Sequence, residues 1–303
     1  MRIIFSRKGC DAGTGGIPSP ILPSGELYSL PIPERHPSGI TYGDLQWGNL
    51  DWGPRSQGTV GDLVQTLSRD RLSATSPIHL DPDLARSTVA ERSPDWMPAF
   101  GQLGAAAQHL NNRGVTQGDL FLFFGWFRSV IVNHGRYAYA PRSPDQHLLF
   151  GWLQVQDCLK VTDEVLLPAG LARHPHRILQ STRGLNHIYI ARDRLQLPGH
   201  RLNVPGAGYI QRLNPALILT ATGRSRCWWQ VPDWMHPHGR ASTLSYHNRR
   251  DRWVQTDNGL LLKTVGRGQE FVLDCDDYPE AIAWVAARLA SCAEQGDCPE
   301  QHP

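Results

Sequence analysis

GDLFLFFGWFR at residues 118–128, followed after a polar Asn133-His134-Gly135 break by HLLFGWLQV at 147–155, reads as two β-strands and their connection. The first run is aromatic and almost uncharged, the pattern of a strand covered on both faces or lining a pocket on one. Gly125 and Gly151 interrupt the two runs immediately before Trp126 and Trp152. A glycine inside a strand marks a bulge or the close approach of another backbone, and beside an indole it leaves room for a flat ligand. The expected fold class is mixed α/β, mainly β, with a central twisted sheet or an open barrel and a few peripheral helices.

Composition bounds what surrounds this pair. Of 303 residues, 40% are hydrophobic and 19% charged, which is globular rather than disordered. A net charge of +2 is too close to balance for a protein that coats nucleic acid, so any anion contact must be local. Six cysteines without a CxxC pair indicate neither a zinc ribbon nor a disulfide scaffold. No apolar run approaches the ~20 residues of a membrane helix, and MRIIFSRKG lacks a signal-peptide core. The expected setting is the cytoplasm, with no membrane partner and reduced cysteines. Residues 1–290 are expected to form one domain, and 291–303 a frayed or disordered tail.

Residues 1–6 read as a short strand that ends on Arg7 and Lys8 and runs into a glycine-rich loop, CDAGTGG, at 10–16. Two cations and side-chain-free backbone can converge there on an anion, with Gly15, Gly16 and Ser19 beside them and Asp11 as a polar anchor. An ordinary tight loop gives the same pattern, because neither the GxxxxGK[ST] nor the GxGxxG spacing is present. Cys10 beside Lys8 is read as a bystander thiol rather than an activated one. A proline-rich wrap follows at 18–39 and a Trp/Gly loop at 48–58. Residues 59–67 predict a helix capped by Thr59.

His79, Asp81 and Asp83 occupy alternate positions in HLDPDLAR. Extended backbone would point all three to one side, where they could hold a divalent metal or do acid-base work. Pro82 bends the run, however, and Asp and Pro are also common turn residues. Residues 100–110 predict a helix. His174 and His176 flank Pro175 in RHPHR, for which exposed polar histidines are the plainer reading than a metal pair. Further strands are expected at 187–191, 217–220, 260–265 and 270–274, and a helix at 278–290. TLSYHNRRDRW at 243–253 interleaves Tyr246 and His247 with arginines, a composition suited to phosphates and base faces or to a charged loop over a buried Trp.

The segments FSRKGCDAGTGGIPSPI, HLDPDLAR, FGQLGAAAQHL, GDLFLFFGWFR, LFGWLQV, LSYH and GRGQEFVLD, in this order from residue 5 to 274, resemble the bacterial and phage family called nucleotide modification associated domain 3. The resemblance implies a link to modified bases or their precursors and supplies no reaction. Over about forty residues the hairpin is also similar to PUA-like domains of the EVE and ASCH type, which implies a small barrel whose pocket accepts an unstacked base. Two functions are expected on this basis. The first is a nucleic-acid-binding or pathway protein that recognises a modified nucleotide, in DNA or free, by stacking it on Trp126 or Trp152. Such stacking contributes about 1–3 kcal/mol per base; Tyr246 and His247 would assist, and Arg128 would reach a phosphate or pair with Asp119 to close the barrel. The alternative is a metal-dependent enzyme of base hypermodification, with Asp11, His79, Asp81 and Asp83 as catalytic groups. Its divalent metal would sit on His79, Asp81 and Asp83, and its phosphate on Arg7, Lys8, Gly15, Gly16 and Ser19. A structural partner in an operon-encoded complex is a third expectation.

Overall fold

A computed structural model of the chain describes residues 1–34, 38–46, 58–178, 184–266 and 270–294, the side chains of residues 178 and 291–294 excepted. Its strands are β1 (Arg2–Arg7), β2 (Ser19–Ile21), β3 (Ile32–Pro33), β4 (Ile78–His79), β5 (Ala99–Leu103), β6 (Leu120–Asn133) and β7 (Arg136–Tyr139). They continue with β8 (Gln146–Lys160), β9 (Asn186–Ala191), β10 (Ala207–Tyr209), β11 (Trp228–Val231), β12 (Trp253–Thr256), β13 (Gly259–Lys263) and β14 (Glu270–Asp274). The α-helices are α1 (Val60–Ser68), α2 (Gly104–Asn112), α3 (Pro175–Ile178) and α4 (Glu280–Glu294).

The main sheet runs β14-β1-β6-β8-β9-β5, with β2 and β7 added to β6 and β10 to β8. It is mixed. β1 and β2 lie parallel to β6, and the other pairs are antiparallel. The expected α/β class, mainly strands with few helices, is what the chain adopts, and the sheet is open rather than closed into a barrel. The long strand β6 forms a hairpin with β7 around the polar break and pairs with β8 over Leu120–Phe127. The near-continuous apolar run of β6 is explained by cover on both faces. Phe121 and Phe123 pack with Phe100 and Tyr189, whereas Phe124 packs with Trp229 and Phe271. Trp229 belongs to a separate three-stranded sheet, β11-β13-β12.

Gly125 and Gly151 answer to the close approach of other protein atoms, not to ligand space. A Cβ on Gly125 would stand 2.9 Å from the carbonyl oxygen of Lys8, and one on Gly151 would stand 2.7 Å from Leu84 and 2.9 Å from the Gly208 oxygen. The bulge of this ladder falls between Phe123 and Phe124. Trp152 is fully buried and donates its indole N–H to the Pro205 oxygen at 2.9 Å.

Thr59 caps α1 as its sequence predicts, and Asp62 returns the bond to complete a reciprocal capping box. The helix expected over 100–110 is divided: its first residues form β5 against β9, and α2 starts only at Gly104. The ladder bonds offered by β9 outweigh the helical preference of a short apolar run. Of the strand expected at 217–220, Leu217 ends a 3-10 turn, and Ile218 and Thr220 make single bridges rather than a ladder. α4 extends to Glu294; residues 295–303 of the expected tail, and 48–57 of the expected Trp/Gly loop, lie outside the described residues. Among the described residues, no helix is long and apolar enough to cross a membrane.

Candidate metal centre and adjoining clefts

β1, β4, β5, α2 and α3 bring their ends together around a cleft of about 660 Å³. His79, Asp81 and His176 line it, and one donor atom from each lies within 4.8 Å of the others. The Oδ2 atom of Asp81 stands 3.9 Å from His79 Nε2 and 3.6 Å from His176 Nε2. Two atoms bound to one metal at about 2.1 Å each can be at most about 4.2 Å apart, and both distances from Asp81 Oδ2 fall inside that limit.

Each group is held from behind. His79 Nδ1 lies 2.6 Å from Glu34 Oε2, and His176 Nδ1 lies 2.8 Å from Asn186 Oδ1. These acceptors fix the proton on Nδ1 and turn the Nε2 lone pairs toward Asp81, the outer-shell arrangement of metal-binding histidines. Asp81 Oδ1 accepts the Gly101 N–H at 2.7 Å and faces His174 Nε2 at 3.5 Å. Oδ2 is left toward the histidines. Burial depresses His176 to about 3 against the pull of Asp81, so it is neutral near pH 7 and able to ligate. Burial alone would push Asp81 up, but His174, His176 and Lys8 outweigh it and hold the carboxyl below its ordinary range.

Gly101 is the local device behind this geometry. A Cβ there would meet the His176 ring at 2.2 Å, so only glycine lets the imidazole seat against β5 while the same residue's N–H holds Asp81. The parallel register of β1 with β6 sends Lys8 into the cleft. Lys8 Nζ lies 3.4 Å from Glu270 Oε1 and 4.4 Å from the centroid of Phe100. Glu270 is fully buried and also accepts from Ser6 and Gln102; burial raises its pKa, and Lys8 opposes the rise.

The trio expected from alternation does not converge. Asp83 points away, in a bidentate pair with Arg92 at 2.6 and 2.7 Å and a hydrogen bond from Trp96. Its backbone pairs with Ala99, which commits its side chain to a different pocket of the fold. His176 stands in its place. His174 and His176, expected at the surface, are both buried, and Pro175 begins a short helix instead of extending the chain. The HxH pair was the available signal for them. Glu34, Gln102 and Asn186 carried none, since they contribute only through space.

Arg7, Lys8 and Asp11 line this cleft and also a second one of about 690 Å³ that contains Trp126. Asp11 accepts the Gly13 and Thr14 N–H groups at 2.7 Å each, which shapes the loop between the two clefts. Other expected ligand-binding residues are structural. Ser19 Oγ accepts the Leu30 N–H, a Cβ on Gly15 would collide with Cys10, and one on Gly16 would crowd Arg71. Cys10 is inert, its thiol pushed up to about 12 by burial. Arg128 lies over Tyr139 and donates to the Ala140 oxygen. His247 is fully buried, and Tyr246 is a surface ring against His109. Of the two expected stacking residues, Trp152 is sealed in the core and Trp126 lines a cleft.

A model of the nucleotide modification associated domain 3 family matches residues 2–274. The chain belongs to this family. Every residue of the cleft named above lies within the part of the chain that defines membership in the nucleotide modification associated domain 3 family, so the site is built from family sequence and not from an appended segment. No curated protein and no solved structure matches the chain.

Proposed function

We propose that this protein is a divalent-metal-dependent enzyme that acts on a nucleotide. The observation that carries the reading is the meeting of His79, Asp81 and His176, each anchored on its far side, in an open cleft. Two histidines and one carboxylate suit a first-row ion such as Zn²⁺, Fe²⁺ or Mn²⁺ and leave coordination positions for water or substrate. Such an ion polarises a bound oxygen or lowers the pKa of its water. Lys8 lines the cleft as a cation for a substrate anion or developing negative charge, with buried Glu270 behind it. Family membership supports involvement in nucleotide modification.

The test is elemental analysis of purified protein. About one ion per chain is expected, lost on His79→Ala, Asp81→Ala or His176→Ala and kept on Asp83→Asn, which should lower stability alone. Equal metal content in all four variants would sink the reading. A second reading, a protein that recognises a modified nucleotide without transforming it, is supported by Trp126 in the adjoining cleft. It would be preferred if the purified protein took up no metal yet bound nucleotide.

A further inference from the structure

The Trp126 cleft has a different chemistry from the metal cleft. Its walls include Arg224 and Arg226, and among the described residues neither has a carboxylate within ion-pair distance. The Arg226 guanidinium lies over the Trp126 ring, 4.2 Å from its centroid. Packing on the indole orders this cation without neutralising it. Two lining residues keep a buried polar atom with no hydrogen-bond partner: the donor Trp126 Nε1 and the acceptor Asp145 Oδ1. Buried groups of this kind cost stability unless something satisfies them, and at a cleft a ligand can do so.

His147 adds a third directional group. Trp229 Nε1 donates to its Nδ1 at 3.1 Å, which places the proton on Nε2 of the neutral ring. Burial and the neighbouring Arg7 and Arg226 keep the ring neutral, at about 3. Its backbone is also fixed, with N–H donated to Thr220 Oγ1 at 2.8 Å and carbonyl oxygen accepting from Leu219. The cleft therefore combines free cations with rigid N–H donors and a carboxylate acceptor.

We propose that the Trp126 cleft binds a free nucleoside 5′-phosphate, with the phosphate against Arg224 and Arg226 and the base edge against Trp126 Nε1, Asp145 and His147. Phosphate supplies the anion that the arginines lack. A base edge carries adjacent donors and acceptors, which match one carboxylate and two N–H groups. A volume of about 690 Å³ is that of a small-molecule pocket and not of a duplex groove. Arg7, Lys8 and Asp11 border both clefts, so a nucleotide held here would present its modifiable part toward His79, Asp81 and His176.

The inference rests on the proposed function for the reaction but not for the binding, and one set of titrations separates them. The four 2′-deoxynucleoside 5′-monophosphates, the matching nucleosides, inorganic phosphate and a single-stranded oligonucleotide are titrated into the wild type and into Arg226→Ala, Arg224→Ala, Trp126→Phe and Asp81→Ala. At least one mononucleotide should bind, about tenfold or more tighter than its nucleoside. Arg226→Ala or the more exposed Arg224→Ala should weaken it by about tenfold, and Trp126→Phe, which keeps a ring and removes the N–H, should weaken it severalfold. Asp81→Ala should lose metal and retain the nucleotide. If no mononucleotide binds, if the folded arginine and Trp126 variants bind as the wild type does, or if the oligonucleotide binds more tightly than every mononucleotide, the proposal is overturned. Metal content unchanged in Asp81→Ala would instead sink the enzyme reading alone.

Discussion

Both ring nitrogens of His247 are committed: Nδ1 donates to the Ser245 oxygen at 2.8 Å, and Nε2 accepts the Val265 N–H at 3.2 Å. Burial lowers this imidazole to about 4, from 6.5 in an unfolded chain. Between those values the unfolded state binds the proton and the native state does not. The stability His247 contributes is thus fully present above pH 6.5 and is lost as pH falls through about 4. His247→Ala should cost about 2–4 kcal/mol at pH 7.5, with the gap to wild type narrowing as denaturant unfolding is repeated down to pH 4. A pH-independent gap would contradict the assignment. The interleaved basic and aromatic pattern around this residue resembled a nucleic-acid surface. Burial turned its histidine into a brace, and Arg249 pairs with Asp251.

Strand β5 shows how an element serves the site without supplying a ligand. Gly101 offers its N–H to Asp81 and its missing side chain to His176, so Gly101→Ala should displace the imidazole and lower metal content sharply while the protein stays folded. The stability cost of such overpacking is about 1–3 kcal/mol. Elemental analysis beside circular dichroism checks it, and a fully metallated variant would show that the ring has another seat. Gly125→Ala in β6 should carry a similar stability cost through the Lys8 carbonyl. It should spare the metal, since the atom it would displace belongs to Lys8 and to none of the three proposed ligands. A chain-level pattern can place a glycine in a strand; it does not say whether ligand or backbone occupies the space. Here the answer is a ring at Gly101, a carbonyl oxygen at Gly125, and the Leu84 side chain with a carbonyl oxygen at Gly151.

Across the whole molecule, β1 from the start of the chain lies between β6 and β14, so residues 2–7 and 270–274 are neighbours in one sheet. Glu270 closes the same connection by its bonds to Ser6, Lys8 and Gln102. We therefore expect residues 1–290 to unfold as one cooperative unit, seen as a single transition by calorimetry. Two separable transitions would divide it. Because the proposed ligands come from two segments distant in sequence, His79 with Asp81 and His176, metal should bind the native state more tightly than the unfolded chain. At about 100 times its Kd it should then stabilise the protein by about 2.7 kcal/mol. That thermal shift should vanish in Asp81→Ala and persist in Asp83→Asn.

The α/β class, the aromatic strand pair, the cap of α1 and the resemblance to the nucleotide modification family were all legible along the chain. Local alternation, capping chemistry and ordered motifs are properties of near neighbours, and side-chain burial only reinforces them. His79 and Asp81 were legible as candidate ligands for the same reason. The replacement of Asp83 by His176, the backing of each ligand by Glu34, Asn186 and Gly101, and the sealing of Trp152 while Trp126 faces a cleft were not. Each depends on which distant strand or helix comes to lie alongside, and a side chain's role follows the partner it meets there: Arg92 claims Asp83, and Asp81 gathers the imidazoles.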